Sequence, residues 1–221
     1  LKRTCIPIPP PGHIQRCIFT KHCGRLQAGI AFSRISPMES TSIKTRKEKL
    51  RSEIKEARKN LKSGTQKKWD KAIFKQLRSM QEFIKAKRIF TYVSYPFEPD
   101  TLEIIKKLLD EGKEVVIPHV SEEKKVSLTL HLISSLADLE KKVTTTHVTP
   151  SSIECALIPG LAFDHKLHRL GFGKGFFDSF LPALDCPKIA LAYDFQIVQN
   201  VPVEDHDATL THIVTPTAIF K

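Results

Sequence analysis

Between Pro159 and Leu181 the chain reads PGLAFDHKLHRLGFGKGFFDSFL, and its second half sets Gly171, Gly173 and Gly175 at alternate positions with Arg169 and Lys174 among them. Glycines so spaced let the main chain take positive φ and approach a ligand closely. Main-chain N–H groups, and the start of a helix that follows, can then face phosphate oxygens while the two cations neutralise them. The two common phosphate motifs do not fit. A dinucleotide fingerprint needs its third glycine where Phe176 stands, and a Walker loop needs Ser or Thr where Gly175 stands. A phosphate cradle and a glycine-rich turn with solvated cations both remain open on this stretch alone. Asp178 falls where a helix dipole favours an acid in the first turn. Lys47 and Arg51, four residues apart, share one face of a helix. No Ser-His-Asp or Cys-His set suggests a covalent nucleophile.

These residues need a frame, and the periodicity supplies one. From 44 to 61 the apolar residues Leu50, Ile54, Ala57 and Leu61 recur at spacings of four, three and four, the stripe of an amphipathic helix. A second helix is predicted over 65–87, with Trp69, Ile73, Leu77, Met80 and Ile84 on one face and Ser63-Gly64 as the break before it. The period then changes. Residues 88–94 (RIFTYVS) read as a strand, 100–112 as a helix ending in glycine, and 114–118 (EVVIP) as a strand, which together make a βαβ unit. EVVIP and IECALIP at 153–159 do not alternate, as expected of parallel strands covered on both faces. Further strands are predicted at 127–133, 188–192 and 212–215, with a helix at 176–184. The expected fold is an α/β domain with two N-terminal helices, its ligands bound beyond the carboxyl ends of the strands.

With 41% hydrophobic and 27% charged residues among 221, the chain can bury one core, and no uninterrupted apolar run reaches the 18 residues of a membrane span. The net charge of +11 is unevenly placed. Residues 1–38 hold six Lys and Arg and no acid, leaving an excess of five positive charges on the rest. That excess suits a polyanionic small molecule at least as well as DNA. Residues 1–37 also carry the IPIPPP run and Cys5, Cys17 and Cys23, and could build no core. They read as an upstream extension of a frame starting at Met38, or as a basic organellar transit segment; Pro9, Pro10 and Pro11 interrupt the amphipathic helix that a transit segment needs. A metal or disulfide role for those cysteines lacks a CxxC pair. The body keeps Cys155 and Cys186, which suits a reducing compartment. The expected location is the cytoplasm, or a mitochondrion or plastid if 1–37 is a transit segment.

The glycine-rich stretch closely resembles the signature of the 5-formyltetrahydrofolate cyclo-ligases, or methenyltetrahydrofolate synthetases, which commonly read PG-x-AFD followed by RLG-x-G-x-G-YYD. Here these are Pro159-Gly160, Ala162-Phe163-Asp164 and residues 169–178. Lys47-x-x-Leu50-Arg51, SYPFEPDT at 94–101 and Val201-Pro202-x-Glu204-x-His206-Asp207 resemble three further family motifs, in the family's order; residues 1–40 have no counterpart. The resemblance implies a single three-layer α/β domain over 38–221, its central sheet mostly parallel, of the NagB/RpiA/CoA-transferase-like kind. It implies conversion of 5-formyltetrahydrofolate and ATP to 5,10-methenyltetrahydrofolate, ADP and phosphate, with Mg²⁺ as cofactor, by a protein expected to be a monomer.

By position, Lys47 and Arg51 would contact ATP phosphates. Arg169, Leu170, Gly171, Phe172, Gly173, Lys174, Gly175, Phe176 and Phe177 would form the nucleotide loop, with Lys174 and Arg169 as the catalytic cations. Asp178 and Asp207 match metal-binding positions, while Val93, Glu98, Phe172 and Phe176 match folate-binding ones. A carboxylate suits a pterin's N–H donors, and aromatic faces would stack on its rings. Phe176-Phe177 departs from the usual Tyr-Tyr and loses two hydroxyls. His206 is as readily structural as catalytic. The competing class is a noncatalytic nucleotide-, folate- or RNA-binding protein of the same fold, although no RNP, KH or stacking platform supports RNA. Removing residues 1–37 is expected to leave the melting temperature and turnover of the remaining chain unchanged; a large fall in either would overturn the reading of that stretch as a leader.

Overall fold

Ser42 opens the first helix by accepting the Thr45 N–H on its Oγ at 3.2 Å, and Arg58 and Lys59 close it where the helix dipole favours cations. The computed structural model describes residues 42–121, 127–139 and 148–221; the stretch 1–37 lies outside the described residues. In chain order the elements are α1 (Ile43–Lys59), α2 (Ser63–Leu77), α3 (Gln81–Lys85), β1 (Arg88–Phe90), α4 (Leu102–Asp110), β2 (Glu114–Ser121), β3 (Ser127–Ile133), β4 (Cys155–Ile158), β5 (Ala162–Asp164), β6 (Arg169–Leu170), α5 (Phe176–Phe180), β7 (Lys188–Leu191), β8 (Ile197–Val198), β9 (His212–Val214) and β10 (Ile219–Phe220). No described helix is long and apolar enough to cross a membrane.

Seven strands form one sheet in the order β10-β9-β7-β4-β1-β2-β3. The inner pairs are parallel, whereas β3 runs antiparallel to β2 and β10 to β9. Residues 122–126 are too few for a crossover, so β3 had to turn back on β2. Both faces of the sheet are covered, as the unalternating strands required. Ile89, Val115, Leu157, Ile189 and Val214 pack into one layer with Ile73, Leu77, Phe83 and Ile105, while Phe90, Val116, Ile158, Ala190 and Ile213 pack into the other with Phe163, Phe180 and Leu181. The chain leaves β1 towards β2 but leaves β4 towards β7, so the strand order reverses between β1 and β4. A crevice opens beyond their carboxyl ends at that point.

Several expectations are corrected. The helix predicted over 65–87 is two helices, α2 and α3, separated by an extended Met80 (φ −86°, ψ 124°). The break advances the buried face by one residue, so that Phe83 is fully buried and Ile84, expected inside, is 42% exposed. The larger ring gains more from burial than the aliphatic chain. Lys113 then donates to the Phe83, Ile84 and Ala86 carbonyls, which the short α3 leaves unpaired. In α1 the buried positions are Lys47, Ile54 and Arg58, and Ala57 is exposed. That face is therefore half basic. The strand expected over 88–94 stops at Phe90, because Tyr92 and Ser94 turn to bond the Thr101 hydroxyl. The helix expected over 176–184 ends as α-helix at Phe180 and continues as a turn of 3₁₀-helix over Leu181–Ala183.

A second sheet of three short strands, β6-β5-β8, was not foreseen. Asp164 holds it together. This buried carboxylate accepts the Lys166 and His168 N–H groups on Oδ1 at 2.9 and 3.1 Å, the Val201 N–H on Oδ2 at 2.9 Å, and faces His168 Nδ1 at 3.0 Å. It thus ties the segment entering the glycine loop to the segment carrying residues 201–207. Burial alone would raise its pKa, but the Val201 N–H and His168 hold it below the usual aspartate range. The stabilisation it gives is complete above the unfolded value of about 4 and lost as pH falls through the lower folded value. Asp164→Asn puts an amide N–H against an N–H on one side or the other. We expect it to cost about 3 kcal/mol in urea unfolding at pH 7, with the penalty shrinking below about pH 4.

Candidate active site

Three segments meet beyond the carboxyl ends of the sheet: 91–101 after β1, 159–178 after β4 and 192–207 after β7. Helix α1 lies across them and sends Lys47, Arg51 and Arg58 inwards. Lys47 Nζ is 2.6 Å from both Glu204 Oε2 and Asp207 Oδ2. Burial works against its charge, yet these two carboxylates raise its pKa overall, and Lys47 holds the carboxyl of Asp207 below its usual range against the cost of burial. Arg51 Nε donates to the Gly171 carbonyl at 2.9 Å. Both expected phosphate contacts therefore first serve to position the loop and the C-terminal acids.

Arg169 is the centre of the glycine loop. Only 5% exposed, it donates to Asp178 Oδ1 at 2.5 Å and to the Pro159 carbonyl at 3.4 Å. Space for it depends on missing side chains. A Cβ at Gly171 would stand 2.8 Å from its Nη1, and one at Gly160 would meet the Phe163 ring at 2.5 Å. Gly173, at φ +100°, lies against the Arg51 guanidinium, and Gly175, at φ +73°, turns the chain into α5. Within the stretch 169–177, expected as a nucleotide loop, Lys174 sits over the Phe176 ring at 5.8 Å. Phe177 is a partial correction. Its ring packs on Phe90 at 6.2 Å and under Arg169, within the core layer, which leaves its main chain to the loop.

A cleft of 330 Å³ brings Lys47, Arg51, Arg169, Gly171, Gly173, Gly175, Asp178, Glu204, His206 and Asp207 together. Asp178 and Asp207 thus line one space, each with one carboxylate oxygen on a cation. The ligand atoms of Glu204, His206 and Asp207 also lie within 4.8 Å of one another, a set in which Glu204 was not anticipated. Oxygen donors of this kind suit a hard divalent cation that keeps part of its water shell. A larger hollow of 590 Å³ at the opposite, amino ends of the strands is lined by Lys87, Arg88, Glu114 and Glu154, and Arg88 there is already paired with Glu114.

The residues matched by resemblance to folate positions lie beside this cleft. Glu98 is 3% exposed; it accepts the Tyr95 N–H on Oε2 at 2.9 Å and faces Arg58 Nη1 at 3.3 Å. Burial raises its pKa, opposed by the Tyr95 N–H and Arg58. Phe97, at φ +68°, precedes it, and Val93, Tyr95, Phe97 and Phe172 leave an exposed apolar rim. The Tyr193 hydroxyl lies 2.8 Å from Asp70 Oδ1 and 3.0 Å from the Glu98 carbonyl, and burial pushes the Asp70 carboxyl up to about 6. The phenolic proton serves one of these oxygens at a time, and the Glu98 carbonyl also accepts the Gln66 side-chain N–H at 3.2 Å. Sequence reasoning missed Asp70, Tyr193 and Arg58. For Arg58 a signal existed, since it continues the stripe 47, 51, 54 around α1.

An open α/β sheet with a basic, glycine-lined cleft at its switch point, flanked by carboxylates, is the plan of an enzyme that handles a charged group. The model of the 5-formyltetrahydrofolate cyclo-ligase family matches residues 43–216. A probable 5-formyltetrahydrofolate cyclo-ligase of Schizosaccharomyces pombe is 30% identical over 176 residues, covering 68% of this chain and 85% of that one. The 5-formyltetrahydrofolate cyclo-ligase of Escherichia coli K12 is 30% identical over 150 residues, 62% of this chain and 82% of its own. Among solved structures, the 5,10-methenyltetrahydrofolate synthetase of Aquifex aeolicus superposes with a TM-score of 0.70 at 27% identity, over 79% of this chain and 92% of its own. The chain belongs to the 5-formyltetrahydrofolate cyclo-ligase family, a family of ligases. The glycine geometry gives one direct test. Gly173→Ala strains a positive-φ position and crowds Arg51, so it should destabilise the protein by about 1–2 kcal/mol in denaturant unfolding, whereas Gly64→Ala, with open space around it, should not.

Proposed function

We propose that this chain converts 5-formyltetrahydrofolate and ATP to 5,10-methenyltetrahydrofolate, ADP and phosphate. The observation that carries this is the joining, at one end of the sheet, of a basic glycine cradle for phosphates and a buried carboxylate wall edged with aromatic rings. A formamide oxygen is a poor leaving group, so ring closure needs it activated. Transfer of the γ-phosphoryl group to that oxygen, with release of ADP, gives an iminium phosphate. Attack by the neighbouring folate nitrogen and expulsion of phosphate then close the ring. Such transfer asks the protein for in-line placement and charge neutralisation.

On this reading Lys47, Arg51 and the main chain of 169–177 hold the phosphates, and Lys174 and Arg169 neutralise the moving group. Arg169 acts from a buried position, paired with Asp178. Glu98 accepts the pterin donors, and the rim of Val93, Phe172 and Phe176 receives the rings. Asp178 and Asp207 would hold Mg²⁺, with one oxygen of each shared with a neighbouring cation. Bound there, Mg²⁺ would supply charge neutralisation for the ATP phosphates. Purified protein given 5-formyltetrahydrofolate, ATP and Mg²⁺ should generate the absorbance of the methenyl product with one ADP per turnover. Product formed without ATP, or ATP consumed without folate, would count against it.

The carboxylates separate an Mg²⁺-ATP enzyme from a passive anion site. An acid beside a basic loop that serves no metal opposes phosphate binding, and its neutralisation tightens it. A metal-holding acid behaves oppositely. Asp178→Asn and Asp207→Asn are each expected to lower turnover at least about tenfold, roughly 1.4 kcal/mol, and to raise the Mg²⁺ concentration for half-maximal rate, with less than additive effects in the double mutant. Tighter ATP binding at normal turnover and an unchanged Mg²⁺ requirement would rule out the metal assignment of that residue.

A further inference from the structure

We propose that Arg58 is the positioning residue of the folate half of the cleft, a side chain that locks its three separate pieces into register. This rests on the folate reading of Glu98 above. Arg58 leaves the C-terminal turn of α1 and is 5% exposed. Its Nη1 faces Glu98 Oε1 at 3.3 Å, its Nη2 donates to the Gly160 carbonyl at 2.6 Å, and its Cζ lies 5.8 Å from the Phe172 ring centre. Those three contacts fall in the segment after β1, the turn after β4 and the tip of the glycine loop. The planar fork is what permits them, because two nitrogens with fixed directions reach two acceptors while the face of the group meets an aromatic ring.

The contact with Glu98 sets the state of that carboxylate as well as its place. Glu98 is buried and faces Arg58 from α1, with Tyr92, Tyr193 and Asp70 as the other ionisable groups near this cluster. Arg58 is the only cation of that group, and together with the Tyr95 N–H it opposes the effect of burial, favouring the ionised Glu98 that accepts N–H donors. Without Arg58, only the Tyr95 N–H opposes burial and Glu98 shifts towards its protonated form, in which one oxygen becomes a donor. Such a variant recovers part of its folate binding as the pH rises and Glu98 ionises. Lys47 and Arg51 lie eleven and seven residues away along α1 and contact other partners. The glycine loop would lose the contact on Phe172 but keep Arg51 on the Gly171 carbonyl, so the phosphate half of the cleft should be much less affected than the folate half.

Arg58→Met and Arg58→Lys test this, with circular dichroism confirming the fold. In Arg58→Met, KM for 5-formyltetrahydrofolate should rise about tenfold or more at pH 7 while KM for ATP stays within about twofold, and the folate defect should shrink with increasing pH. The ¹³C titration of the Glu98 carboxyl, assigned by its loss in Glu98→Gln, should move upward in the free protein. Arg58→Lys restores the charge without the fork, so Glu98 should titrate nearly as in wild type while the folate KM stays raised severalfold. An unchanged Glu98 titration in Arg58→Met, or equal rises in both KM values, would overturn the proposal. If Arg58→Met does not fold, a wild-type folate KM in Arg58→Lys overturns it. Wild-type protein that turns over no 5-formyltetrahydrofolate would instead defeat the functional reading, and the substrate-free titration still decides whether Arg58 controls Glu98.

Discussion

Arg169 puts a full positive charge almost wholly inside the protein, and the site is arranged around that fact. A buried guanidinium is tolerated only where acceptors meet it. Asp178 and the Pro159 carbonyl do so, and Gly160 and Gly171 leave the room. Two of the glycines are thus packing devices as much as conformational ones. Larger residues there would push the cation off its partners. The spacing of the glycine loop differs from that of a dinucleotide or Walker loop because it is built around an internal cation, and only then around a ligand.

The same rule governs the rest of the cleft. Lys47 lies between Glu204 and Asp207, Arg58 against Glu98, and Arg169 against Asp178. Asp178, Glu204 and Asp207 also line the cleft, whereas Glu98 is buried beside it. The acids keep the cations at fixed positions before any anion arrives, which is the preorganisation that electrostatic catalysis requires. They also temper the field of the cleft, and on the proposed reading a phosphate would share cations that are already partnered.

Much of this was legible from local sequence. The glycine loop and the Lys47 and Arg51 face depend on short-range spacing, Glu98 was reached through the resemblance of residues 94–101 to a family motif, and the structure brings them to one end of the sheet. What was not legible depended on long-range pairing. Arg58 meets Glu98 forty residues away, and Tyr193 meets Asp70 across 123; neither pairing has a periodicity to betray it. The small sheet around Asp164 was hidden for another reason, since strands of two and three residues carry no alternation to detect. The break between α2 and α3 came down to a competition between Phe83 and Ile84 for one buried place, which propensity alone cannot decide.

Helix α1 also has a bearing on how the protein is made. It is the first described element of the chain, yet its contacts reach 102 residues ahead to Gly160, 120 to Gly171, and 157 and 160 to Glu204 and Asp207. During synthesis it emerges from the ribosome long before the residues that neutralise it, and contacts of such sequence separation are slow to close. The cleft can therefore be completed only when residues 204–207 have been released. A polypeptide lacking residues 204–207 would hold Lys47 without its acids, so the site cannot close until that segment has been made.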